Sequence, residues 1–103
     1  MDASRLANEF EFHMFQARVS AYRAVFWLQW LREEETEAHI IQVEHALTAA
    51  YHIVNNEMDP KHPFFSKLAK RIHDASEEFN NLKQRFEALW HRPLEPRDGR
   101  FSA

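Results

Sequence analysis

Seven of the 103 residues are histidine, the side chain that most often ligates transition metals and moves protons near neutral pH. Glu9 with His13 and Glu35 with His39 stand four apart, and His45 with His52 stand seven apart. On a helix these separations put each pair on one face, so each is half of a chelating set. Carboxylate-bridged di-metal bundles use Glu-x-x-His on facing helices, and that spacing occurs nowhere in the chain. There is no cysteine to supply a thiolate, and no third ligand joins any pair by spacing alone. His13 falls on a helical face with Phe10, Met14 and Ala17, where an imidazole serves more naturally as a packed side chain than as a ligand. No metal or other cofactor is expected.

His45-Ala46-Leu47 resembles the His-x-Leu around the phosphorylated histidine of histidine phosphotransfer domains, which are helical bundles of similar size. The resemblance covers three residues and implies phosphoryl acceptance at His45. The Lys-Gly that follows in that family is Thr48-Ala49 here, which removes the lysine that balances phosphate charge. Ser4, Ser20, Ser66, Ser76 and Ser102 lack a Gly-x-Ser-x-Gly context, so no nucleophile elbow is present. A chain with one glycine also cannot build a glycine-rich phosphate loop. These absences lead to the expectation that the protein is not an enzyme.

The elements that would position any such residue are helices. The single glycine and four prolines all lie after residue 59, whereas sheet proteins need turn residues at short intervals. An apolar fraction of 45% with 14% aromatic residues supplies a core for one domain of this length. The formal charge of −3 is mild, and nucleic-acid binding through Lys61, Lys67, Lys70, Arg71 and the arginines of the tail is disfavoured by the overall acidity. No run of eighteen apolar residues is present, and the N-terminal residues carry no basic segment followed by an apolar one. A cytoplasmic protein that neither binds nor spans a membrane is therefore expected.

Residues 3–33 predict a first helix, capped by Asp2 or Ser4 and apolar on two sides. One face carries Phe12, Phe15, Val19, Tyr22, Phe26 and Trp30. The other carries Leu6, Phe10, Met14, Ala17, Ala21, Ala24, Leu28 and Leu31. Narrow polar strips separate the two, and a helix apolar on both sides must be sandwiched. A second helix is predicted over 37–57, because acidic residues favour a helix start and Thr36 precedes Glu37 as a cap. Its stripe is Ile40, Val43, Leu47, Ala50, Val54 and Met58.

After a turn at 55–62, closed by Pro60 and Pro63, a third helix is predicted to reach His91. Phe65, Ile72, Phe79 and Phe86 occupy one heptad position, and Leu68, Ala75, Leu82 and Leu89 the other. That repeat implies coiled-coil-like packing, broad enough for a bundle. The expected architecture is all-α: a three-helix antiparallel bundle with long helices over 1–91, completed by dimerisation, and an irregular tail over 92–103.

The functional expectation is a small helical interaction protein that binds a protein partner, as an adaptor, inhibitor, assembly factor, chaperone or other regulatory component, and that forms a homodimer. The second helix is too short to reach the first turns of helix one, which leaves Leu6, Phe10 and Phe12 uncovered. The face with Leu6, Phe10, Ala17, Ala21, Ala24 and Leu28 is expected to meet the partner, since its alanines allow close approach. The bulkier face with Phe15, Val19, Tyr22 and Phe26 is expected to turn inward. Trp27, which projects into a polar strip, is a candidate hot spot. Residues 32–59 carry a net charge of −6 and residues 60–103 a net of +3. Lys67, Lys70 and Arg71 lie early in helix three, where the macrodipole disfavours cations, and form a candidate docking patch for an acidic surface. The alternative is a ligand- or metal-binding bundle that uses His13, His39, His45 or His52.

Overall fold

The computed structural model describes residues 3–94. Three helices follow one another without a strand among these residues: α1 (Ala3–Gln29), α2 (Glu33–His52) and α3 (Phe65–Trp90). A π-helical turn at Ile53–Glu57 prolongs α2. The all-α, three-helix expectation holds. The Asp2 cap and the tail beyond Leu94 lie outside the described residues; Arg92–Leu94 are non-helical.

Helices α1 and α2 form a tight antiparallel hairpin. The break falls at Trp30–Arg32, four residues earlier than Thr36–Glu37. Trp27 is the hinge of this turn: its carbonyl accepts from the Arg32 N–H at 3.0 Å, while the Leu28 carbonyl accepts from the Leu31 N–H at 3.1 Å. These paired bonds satisfy the last carbonyls of α1 in a Schellman arrangement. Leu31 takes the left-handed position (φ 55°) that glycine usually fills. The Arg32 guanidinium lies over the Trp27 ring, 5.6 Å from its centroid. Glu33, Glu34 and Glu35 then occupy the first turn of α2, where the macrodipole stabilises them. Thr36 is therefore not the cap. It is fully buried one turn into the helix, and its hydroxyl donates to the Arg32 carbonyl at 2.7 Å.

The middle helix α2 packs against both neighbours, whereas α1 and α3 meet only slightly. One apolar core joins all three. Its centre holds Phe10, Ile40, Leu47, Ala50 and Phe86. The heptads of α3 supply most of that helix's share: Leu68, Ile72, Phe79, Leu82 and Phe86 are buried, with Phe65 and Ala75 packed at the margin. Leu89 departs from the pattern and is exposed. The left-handed residue His91 (φ 54°) ends α3. The chain then folds over, so that Arg92 donates to Glu33 at 2.6 Å and to Glu37 at 3.0 Å. The Leu94 N–H is held by the Glu87 carboxylate at 2.8 Å. Donating to the Glu37 and Glu33 carboxylates raises the pKa of Arg92 and holds it charged. This pairing is the basic C-terminal half meeting the acidic second helix.

Candidate functional site

The two faces of α1 lie the opposite way round from the sequence expectation. Leu6, Phe10, Met14, Ala17, Ala24 and Leu28 are buried in the chain's own core, and Ala21 packs at its edge. They are not available to a partner in this fold. The physical reason is the close approach already inferred from Ala17, Ala21 and Ala24: the helix that approaches is α2, which brings Ala46 and Ala50 to the core. Leu6 and Phe10 are not left uncovered: the π-helical turn contacts α1, and its Ile53 and Val54, with Met58 just after it, belong to the same buried core. On its open side Phe10 is capped by the Arg71 guanidinium, 5.2 Å from the ring centroid.

The bulkier face points away from α2. Phe12, Phe15, Tyr22, Phe26 and Trp30 are each between 50% and 70% exposed, and Val19 between them is half-buried. Phe26 meets Trp27 edge-on at 5.0 Å and Trp30 at 6.4 Å. Residues 12, 15, 19, 22 and 26 follow the alternating three- and four-residue spacing of a coiled-coil seam. Aromatic residues each present about 150–250 Å², so the five leave roughly 600 Å² uncovered. That matches or exceeds the largest apolar patch of an ordinary monomer, about 300–600 Å². The stripe was visible in the sequence; its outward direction was not.

On one flank of this stripe, Glu11 forms an ion pair with Arg71 of α3, with the second Arg71 nitrogen 3.2 Å from the other carboxylate oxygen. The Arg71 hydrogen bond lowers the Glu11 pKa below its ordinary value. Of the expected basic patch, Arg71 thus serves to clasp α3 to α1. Lys70 is engaged along its own helix with Asp74 at 3.1 Å, and Lys67 is exposed. Trp27 is half-buried in the hairpin turn. Beyond the clasp, a groove of about 400 Å³ opens between α1 and α3, with Val43 and Leu47 of α2 as its floor and Tyr22 at its lip.

The histidines are dispersed. His39 bonds through Nδ1 to the Glu35 carbonyl at 2.7 Å, while the Glu35 carboxylate pairs with Arg32, so these two do not form a chelating pair. The Asn56 amide donates to His52 Nδ1 at 2.8 Å. His13 and His45 line the same shallow cavity of about 310 Å³, with Gln16, Ser20 and Gln42. That meeting depends on the pairing of α1 with α2 and had no signal in the spacing. Among the described residues no group of three histidine or acidic side chains is placed to hold a metal ion. None of the helices is long and apolar enough to cross a membrane, among the same residues. No family model, curated protein or solved structure matches the chain.

Proposed function

We propose that this chain is a small helical protein–protein interaction module, not an enzyme, and that it binds through the outward aromatic face of α1. The observation that carries the reading is the row Phe12, Phe15, Tyr22, Phe26 and Trp30, exposed together on a helix whose other face is already buried. Large aromatic side chains are enriched at the centres of protein interfaces, and a seam spacing suits a helical partner. An adaptor, inhibitor, assembly factor or chaperone would use such a face, and a second copy of the chain is the simplest protein to meet it. A photo-crosslinking amino acid at Phe15, compared in the source cell with one at the exposed Asn80 of α3, tests the reading. A protein adduct specific to position 15 supports it. Equal or absent adducts at both positions overturn it.

The cavity shared by His13 and His45 favours a second reading, a ligand- or metal-binding bundle. Two imidazoles beside Gln16, Ser20 and Gln42 form a polar setting for a small molecule or a weakly held cation. Bound ligand must stabilise the fold, so thermal melts with zinc, copper or nickel ions test it. A rise in melting temperature that disappears in His13→Ala supports this reading, and no rise with any of the three rejects its metal form.

A further inference from the structure

We infer that the occupant of the outward α1 face is a second copy of this chain, docked helix to helix in the antiparallel sense about a two-fold axis at the level of Ser20 and Ala21. This rests on the outward face being a docking surface, as proposed above. A two-fold axis needs a patch that complements itself, and this stripe does. Phe12 and Trp30, Phe15 and Phe26, and Val19 and Tyr22 are three pairs whose midpoints agree to within half a residue. Turning one copy end over end therefore sets Phe15 beside Phe26 of the second copy and Val19 beside its Tyr22. Each layer then joins different side chains, and at the centre the small half-buried Val19 leaves room for the large exposed Tyr22.

Charge decides the orientation. Arg18 and Arg23 are both exposed and flank the stripe on opposite sides. In a parallel, in-register pair, residues five apart face each other across the seam rims, so Arg18 would meet Arg23 of the other chain on both sides. In the antiparallel pair Arg18 comes to Val25 and Arg23 to Gln16, and the two helix dipoles oppose rather than align. The area is also sufficient. Roughly 600 Å² from each chain gives about 1,200 Å² in total, the lower edge of the range for specific stable interfaces. Since α2 lies behind α1 on the side away from the stripe, neither chain's core is disturbed.

Light scattering across a concentration series, joined to a spin-label distance, tests the inference. The expected mass is twice the 12.4 kDa chain mass. The chain has no cysteine, so Asn8→Cys carries a single label. At 1.5 Å per residue, antiparallel pairing puts the two labels roughly 40 Å apart, whereas parallel pairing holds them near the helix spacing of about 10 Å. Tyr22→Glu should raise the dimer dissociation constant at least about tenfold and leave the monomer's helicity and melting unchanged. A dimer with the short distance overturns the antiparallel assignment, and a monomer at every concentration overturns the second copy as occupant. In the monomer case the position-15 adduct separates the two ideas. An adduct to a different protein removes only the second copy, whereas no adduct removes the docking face as well.

Discussion

Helix α1 presents two apolar faces that differ in side-chain size and in fate. Toward α2 it offers Ala17, Ala21 and Ala24 with Leu6, Phe10 and Leu28 near its ends; toward the outside it offers five aromatic residues in a row. Ranking by hydrophobicity alone would bury the aromatic row. The choice between two apolar faces is made by how close the backbones can come. Alanines let α1 and α2 approach until dispersion contacts are dense, and α2 answers with Ala46 and Ala50. The cost is an uncovered row of roughly 600 Å², about 15 kcal/mol of unrealised burial at 25 cal/mol per Å². That is a gross transfer free energy, open only to a molecule that covers the row and reduced by the cost of ordering and docking it.

Truncating one ring on each face separates their roles most directly. Phe10→Ala, at a fully buried site, should cost about 3–5 kcal/mol in urea unfolding. Phe15→Ala, exposed on the other face, should change stability by less than about 0.5 kcal/mol under dilute, monomeric conditions. Similar midpoint shifts for both would mean that the faces are not distinguished as described. The claim of close approach has its own test. Ala24 is fully buried, so Ala24→Leu should overpack the α1–α2 contact and cost about 1–3 kcal/mol, although leucine is the more hydrophobic residue. A neutral or stabilising result would show that the hairpin is not tightly packed there.

Two smaller effects belong to residues at the edges of these faces. Leu31 holds a left-handed conformation at the turn that sets how α1 lies on α2. Leu31→Gly should stabilise the fold by up to about 1–2 kcal/mol, seen as a raised melting temperature. The smallest effect belongs to Glu11, on the flank of the outward stripe. Its carboxyl pKa is lowered from an ordinary 4.5 by Arg71. A depressed pKa means that its stabilising contribution is present above that value and is lost as pH falls through the folded-state value. The melting-temperature gap between the unmutated chain and Glu11→Gln should therefore be constant near neutral pH and close progressively below about pH 4.5. A gap independent of pH would show that Arg71 does not clasp the Glu11 carboxylate. Because both side chains are partly in solvent, the gap itself should be small.

Much of this molecule is legible along the chain. The heptads of α3 anticipated Leu68, Ile72, Phe79, Leu82 and Phe86 as core because a single stripe on a helix has only one place to go. Leu89 fails the pattern because α3 ends one residue later and the chain turns over at His91. The acidic run 33–37 announced a helix start but blurred its position, since the turn is built from backbone bonds around Trp27, Leu28 and Leu31 rather than from a capping side chain. The outward stripe was legible as six positions on one face. Its direction was not, because helical periodicity reports which residues share a side and says nothing about which side faces inward.

Helicity, the place of each apolar stripe and the spacing of its residues follow from propensity and period within each segment and are written in the chain. Which face of α1 is buried, the closure of Arg71 on Glu11 and of Arg92 on Glu33 and Glu37, and the cavity shared by His13 and His45 emerge only in the packed fold. Each of these depends on the rotation and register of one helix against another. Those are set by the best packing of whole surfaces, a property of pairs of segments that no single segment carries.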